Sequence, residues 1–130
     1  MGSEMCIRDR EFIWWSERDG WGHLYLYDGA GKLKNRITSG SWVVADVIYV
    51  DPEERKVYFT AAGREENVNP YYQFFYRVNL DGSELELLSG ENASHKITAF
   101  PSGKMFIDQY STPKDPPVAV VRSLNGEIIL

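Results

Sequence analysis

Cysteine is nearly missing from this sequence. Cys6 stands alone among 130 residues, which excludes an internal disulfide and any metal site built from several thiolates. Long apolar runs are missing too. No stretch approaches the ~20 residues that cross a bilayer as a helix, so no transmembrane helix is expected. Positive charge is outweighed: 14 Lys and Arg stand against 19 Asp and Glu, for a net charge of −5. Nucleic-acid binding draws on clustered basic residues that displace phosphate counterions, and here they are scattered. No nucleic-acid partner is expected. No run is long enough, or periodic enough, to mark a confident helix.

Aromatic residues, by contrast, are plentiful, with eight Tyr, six Phe and four Trp. Flat and β-branched side chains pack well on a pleated surface, so this composition favours strands. Short apolar runs alternate with turn signals along the chain, the all-β pattern. Residues 12–15 are followed by a turn at Arg18-Asp19-Gly20. Residues 23–27 lead to Asp28-Gly29, and 32–38 end at Ser39-Gly40. Residues 43–50 turn at Asp51-Pro52-Glu53-Glu54, and 56–61 alternate, with Val57 and Phe59 on one face and Tyr58 and Thr60 on the other. After a polar loop over 63–70 come 73–80, the turn Asp81-Gly82, and 84–88. A third unit runs through 96–100, 104–110, the proline-rich loop 111–117, 118–122, the turn Asn125-Gly126, and 128–130.

The three units share one order of elements. Strand, Asp/Asn-Gly turn, strand recurs at Asp28-Gly29, Asp81-Gly82 and Asn125-Gly126, spaced 53 and 44 residues apart, near the ~40–50 of a four-stranded propeller blade. The fold class predicted is all-β: about two and a half to three four-stranded antiparallel blades, a fragment of a larger β-propeller. The blades are expected over 12–38 (lacking its first strand), 43–89 and 95–130. Residues 1–10 show no strand or helix period and no signal-peptide apolar region, so they are expected to be a non-native or structureless leader.

Residues 12–28, Phe-Ile-Trp-Trp-Ser-Glu-Arg-Asp-Gly-Trp-Gly-His-Leu-Tyr-Leu-Tyr-Asp, resemble a blade of the dipeptidyl-peptidase IV family, which carries a Ser-Glu-Arg-Asp-Gly-Trp-x-His-Leu-Tyr segment late in its N-terminal propeller. Thr38-Ser39-Gly40-Ser41-Trp42-Val43-Val44 is similar to the family's Thr-x-Gly-x-Trp-x-Val. Residues 101–108, with Tyr110-Ser111 and Pro116-Pro117-Val118, resemble the last blade before the hydrolase domain. The resemblance covers about 11–130. It implies a non-catalytic propeller portion of a serine peptidase, gating and scaffolding access of short peptides to a C-terminal α/β-hydrolase domain of the parent chain. It further implies a homodimer of the parent, and a periplasmic, secreted or membrane-anchored location. The alternative is a non-enzymatic propeller that binds protein or carbohydrate.

No catalytic, cofactor-binding or metal-binding residue is assigned. Nucleophilic hydrolysis needs a Ser or Cys, a base and an orienting group, and no Gly-x-Ser-x-Gly elbow occurs. The family's propeller holds the substrate amine with a Glu pair, but Glu65-Glu66 follows Gly63-Arg64 in a polar loop and is expected to be solvated, as is Glu53-Glu54. His23 and His95 lie 72 positions apart without nearby His or Cys, so zinc is poorly supported; Asp46, Asp108 and Asp115 lack calcium-loop spacing. His23 is expected to bond a neighbouring loop. Ser16 to Trp21 reads as a hairpin loop with Gly20 at positive φ and Trp21 capping its apolar face. Of the aromatics 71–76, Phe74 and Tyr76 should face one side and Phe75 the other, as residues buried between blades. No polar cap is legible at either end. Faces bearing Trp14, Phe59, Phe75 and Ile107 are therefore expected to lack their neighbours and to drive association of the isolated chain.

Overall fold

Alternating side chains and regularly placed turns produce a succession of strands. The computed structural model describes residues 3–7, 11–18, 20–100 and 104–129, the first five by their backbone alone. Three antiparallel sheets follow one another, with no helix among the described residues. The first contains β1 (Ser3–Ile7), β2 (Glu11–Ser16), β3 (His23–Asp28) and β4 (Leu33–Arg36), paired in chain order. The second contains β5 (Val43–Asp51), β6 (Lys56–Ala62), β7 (Gln73–Asn79) and β8 (Glu86–Leu87). The third has β9 (Ser94–Ala99), β10 (Met105–Ser111) and β11 (Val118–Ser123), with a fourth strand reduced to the bridge Arg122↔Ile128.

The first blade therefore has four strands, one more than its sequence suggests. Residues 3–7, expected to lack structure, pair with β2 from Ser3↔Trp15 to Ile7↔Glu11. Backbone pairing asks little of side chains. The unpaired edge of β2 offers a row of N–H and C=O groups that templates a further strand whatever its sequence pattern. Residues 1, 2 and 8–10 of that leader lie outside the described residues.

Blade 2 is buried on both faces, and the alternation in its two middle strands divides the core. Val57 and Phe59 of β6, with Phe74, Tyr76 and Val78 of β7, point to blade 1 and join Ile13, Leu24, Leu26 and Trp42 in one apolar cluster. Tyr58 and Phe75 point the other way, to Ile97 and Phe106 of blade 3. Phe59 and Phe75 are fully buried at these internal interfaces, so neither contributes to an uncovered end face as expected. The outer face of blade 1 is also better covered than its apolar content suggests. Phe12 stacks on Tyr27 at 5.2 Å, and the Arg18 guanidinium lies 4.0 Å from the centre of the Tyr25 ring, which is only 2% exposed. Cations laid on aromatic faces do the covering there.

The outer hairpins repeat more closely in space than in sequence. Gly31, Gly82 and Gly126 occupy equivalent turns, each at a φ of +85° to +91°. Each amide donates to the carbonyl three residues back: Asp28, Asn79 and Ser123. The first turn thus runs from Asp28 to Gly31 and is centred on Gly29-Ala30, one residue beyond the expected Asp28-Gly29, with Gly31 as its positive-φ glycine. Asp28 Oδ1 explains the shift: it accepts from the Ala30 and Lys32 amides, both at 2.9 Å, and so becomes the first residue of the turn. Gly82 and Gly126 also rest against the preceding blade. A Cβ on Gly82 would lie 3.0 Å from the Arg36 carbonyl oxygen, and one on Gly126 2.6 Å from that of Leu88. Gly31 has open space instead.

Polar ties complete the blade 1–2 interface. Trp15 Nε1 donates to the Val44 carbonyl at 2.9 Å, and the Val44 amide donates to the Gly22 carbonyl at 2.8 Å. At the opposite end Arg55 grips Glu11 with two bonds of 2.8 and 2.9 Å, and Lys34 adds a third of 2.7 Å. The bonds from Arg55 and Lys34 hold the Glu11 carboxyl down at about 2, below its ordinary 4.5.

Two outcomes are expected from this arrangement. Gly31→Val should cost about 1–2 kcal/mol for positive φ alone, whereas Gly82→Val should lose roughly a further 1–3 kcal/mol by overpacking against the Arg36 carbonyl. Denaturant unfolding of the two variants measures the difference, and equal losses would remove the inter-blade contact from the account. Protonation of Glu11 should also weaken the chain in acid. The unfolded carboxyl takes up its proton near 4.5 and the folded one only near 2, so the clamp's stabilisation is full above pH 4.5 and drains away as pH falls to about 2. Lys34 and Arg55 are about half exposed, which limits the effect to roughly 1 kcal/mol or less. Melting temperature against pH should fall less steeply over that window in Glu11→Gln.

Candidate functional site

Successive strands run up and down, so the connections 17–22, 37–42, 63–72, 88–93 and 112–117 gather at one end of the blades. Ser16 Oγ opens the first of them by accepting from the Arg18 amide at 3.2 Å, and Gly20 takes a φ of +88° while donating to the Glu17 carbonyl. Asp19 lies outside the described residues. Trp21, expected to cap this hairpin, is 45% exposed; Trp15 does the capping instead, its indole lying over Gly22. A Cβ at Gly22 would sit 2.1 Å from that ring, so the glycine makes the approach feasible.

Both histidines are buried and fully engaged. His23 Nε2 lies 2.9 Å from the Gly40 carbonyl and donates to it, while Nδ1 accepts a hydrogen bond from the Thr38 hydroxyl at 2.8 Å. Thr38 Oγ1 accepts in turn from the Leu24 amide at 3.0 Å. Its counterpart in the next blade is Ser89, whose hydroxyl accepts from the Phe75 amide. His23 therefore bonds a neighbouring loop, and Trp42 packs edge-on against it.

His95 sits in a larger network. Its Nδ1 lies 2.8 Å from both carboxylate oxygens of Asp108, and Nε2 lies 3.0 Å from the Glu91 carbonyl. Arg122 Nε donates to Asp108 at 2.7 Å, Nη2 pairs with the Glu91 carboxylate, and Nη1 donates to the Gly126 and Leu88 carbonyls. Ligand atoms of Glu91, His95 and Asp108 all lie within 4.8 Å of one another, a span that would suit a metal ion. The Arg122 guanidinium already bonds both carboxylates, so the cation of this cluster is built in. With both ring nitrogens of both histidines facing bonded partners, neither ring has a nitrogen free to deprotonate a nucleophile. Arg122 and Glu91 were not legible as members of this cluster: no local spacing joins residues 91, 95, 108 and 122.

Glu65 departs from the solvated role expected of it. It accepts from the Tyr76 hydroxyl and from Arg64 Nη1, both at 2.8 Å. Burial first, and then the Glu65 carboxylate, push the Tyr76 phenol well above its ordinary value. Glu66, Glu53 and Glu54 are exposed, as are Asp46 and Asp115. Asp115 accepts from the Thr112 hydroxyl at 2.9 Å. Phe74, Phe75 and Tyr76 are buried between blades with the alternation expected, while Tyr71 is 87% exposed.

The loop end also carries the candidate site. A cleft of about 580 Å³ lies where blades 2 and 3 meet, lined from the 63–72 loop by Asn67, Val68, Asn69 and Tyr72, and from the facing loops by Asn92 and residues 112–115. A second cleft of about 510 Å³ at the opposite end is lined by Lys34, Arg55 and Asp81, of which the two cations are spent on Glu11.

The buried cluster can be tested directly. Asp108→Ala strands the Arg122 cation and the His95 ring without their shared acceptor and should cost about 3–5 kcal/mol. Asp46→Ala, at an exposed position, should stay within about 0.5 kcal/mol. Urea unfolding of both variants gives the comparison.

The architecture and sequence match known proteins. The family model for the dipeptidyl peptidase IV (DPP IV) N-terminal region matches residues 3–117. Dipeptidyl peptidase 4 of Trichophyton equinum is 28% identical over 102 residues, covering 78% of this chain and 13% of that protein. The crystal structure of Porphyromonas gingivalis dipeptidyl peptidase 4 superposes with a TM-score of 0.82 at 25% identity, over 98% of this chain and 18% of that one. A TolB from Agrobacterium tumefaciens, described as putative, superposes at 0.71 with 19% identity over 100% of this chain and 49% of its own, a likeness of fold. The chain thus spans a small share of the peptidases it matches. It is a fragment of a β-propeller, and it belongs to the family of the dipeptidyl peptidase IV N-terminal region.

Proposed function

We propose that this chain is the non-catalytic propeller portion of a dipeptidyl peptidase IV-like serine peptidase, gating and scaffolding the access of short peptides to an α/β-hydrolase domain of the parent protein. The family match over residues 3–117 carries this reading. The state of the histidines supports it: both are consumed in holding loops, and the Asp108–His95 pair that resembles part of a triad is completed by Arg122 rather than by a nucleophile. Hydrolysis would then come from a partner domain, and the blades would supply walls and loops that select what reaches it. The TolB likeness extends to fold alone and brings no activity with it.

The coding sequence of the parent gene beyond Leu130 tests the reading, with a Gly-x-Ser-x-Gly elbow on an α/β-hydrolase domain expected. The chain by itself should leave a chromogenic Gly-Pro substrate at the buffer rate, because the triad and oxyanion hole provide the acceleration. The parent protein should turn the substrate over and lose that activity to a serine-directed inhibitor. Inhibitor-sensitive turnover by the isolated chain would overturn the proposal, as would a parent that ends without a hydrolase.

A further inference from the structure

Resting on the peptide-directed reading above, we propose that the cleft between the 63–72, 88–93 and 112–117 connections binds short peptides, by their main chain and their C-terminal carboxylate. The polar groups around it fall into two sets. One set is spent on shaping the walls. Asn69 Oδ1 accepts from the Tyr71 amide at 2.9 Å and the Asn69 carbonyl from the Tyr72 amide at 3.1 Å. Across the cleft, Thr112 Oγ1 accepts from the amides of Lys114 and Asp115 and donates to the Asp115 carboxylate. These bonds fix both walls before any ligand arrives, which lowers the ordering cost of binding.

The other set is unspent. Asn67, Asn92 and Lys114 are exposed, and among the described residues the two side-chain amides have no hydrogen-bond partner in the protein and the ammonium pairs with no carboxylate. All three line the same cleft. A primary amide offers a donor and an acceptor together, which matches the N–H and C=O of a peptide unit. An ammonium beside them matches a terminal carboxylate. Val68 and Tyr72 pack against the blade 1–2 core and give the cleft a firm apolar floor. Its volume, about 580 Å³, falls in the range of small-ligand sites. A saccharide fits less well: the half-buried Tyr72 ring is held by the core rather than offered as a stacking platform.

Titration of the chain with tetra-alanine, and separately with its C-terminal amide, tests the assignment through backbone amide chemical shifts. Saturable shifts should cluster at residues 67–72, 92 and 112–115. The pair Asn67→Gly and Asn92→Ala should weaken binding about ten-fold by removing two neutral hydrogen bonds. Glycine is chosen at residue 67 because that position has a φ of +62°, so the melting temperature should hold. Lys114→Gln should weaken the free acid and leave the amide unchanged. Shifts scattered over other residues, or affinity untouched in the amide-less variant, would overturn the proposal. Shifts in the same loops caused by maltotriose and not by tetra-alanine would overturn it in favour of a saccharide site. Turnover is measured on the parent protein and binding on this chain, so failure of the cleft and absence of a hydrolase give different results.

Discussion

Everything in this chain depends on blade 2 being apolar on both faces. A strand sends alternate side chains to opposite sides, so β6 and β7 can serve two interfaces only if both phases of the alternation are large and apolar. They are: Phe59 and Tyr76 fill one side, Tyr58 and Phe75 the other. A one-residue slip in the pairing of β6 with β7 would exchange the two sets and misplace every ring. The register Phe59↔Tyr76 and Thr60↔Phe75 is thereby fixed from both sides at once. Blade 3 meets this double surface with one face and carries polar residues such as Lys96 and Gln109 on the other, whereas the far face of blade 1 is aromatic, with Phe12 stacked on Tyr27 and Arg18 laid over Tyr25.

The two interfaces are built differently. Thirteen buried residues make the cluster between blades 1 and 2, and five make that between blades 2 and 3. The smaller cluster is accompanied by the buried ionic network of Arg122, Asp108, His95 and Glu91, and by Arg77, which donates to the Leu124 carbonyl and to Asn125 of the third blade. Buried ion pairs contribute little net stability over apolar packing of the same volume, but losing one partner is costly. Their effect is directional. A guanidinium that must satisfy Asp108, Glu91 and two carbonyls admits few arrangements of blade 3 against blade 2, whereas an apolar cluster alone tolerates sliding.

Most of the strand order was legible because alternation and turn chemistry are local. Val57 shares a face with Phe59, and Phe74 with Tyr76, by parity alone, and Asp81-Gly82 marks its hairpin with residues that tolerate positive φ. The first turn was read one residue early because Asp28-Gly29 looks like Asp81-Gly82; the Ala30 and Lys32 amides donate to Asp28 Oδ1 and make Asp28 the first residue of the turn, which a dipeptide does not show. Trp15 and Trp21 posed the same difficulty, since either indole suits an apolar hairpin face. Gly22 settles the matter by leaving room for Trp15. β1 was invisible for the opposite reason. Its pairing follows from the free edge of β2 and from nothing periodic in residues 3–7.

The polar residues were the least legible, and their pattern explains where ligand chemistry remains in the molecule. Arg122, Glu91, His95 and Asp108 are separated by up to 31 residues; the pairing of β9, β10 and β11 brings His95, Asp108 and Arg122 together, and the crossover from blade 2 adds Glu91. Glu65 likewise meets Tyr76 only after β6 and β7 have paired. His23, His95, Asp108, Arg122 and Glu65 are all consumed by such partners in holding strands and loops. At the loop end, above the interface with the thinner apolar cluster, Asn67, Asn92 and Lys114 converge without being consumed. A thin apolar seam riveted by charges leaves the loops above it to be shaped by their own hydrogen bonds.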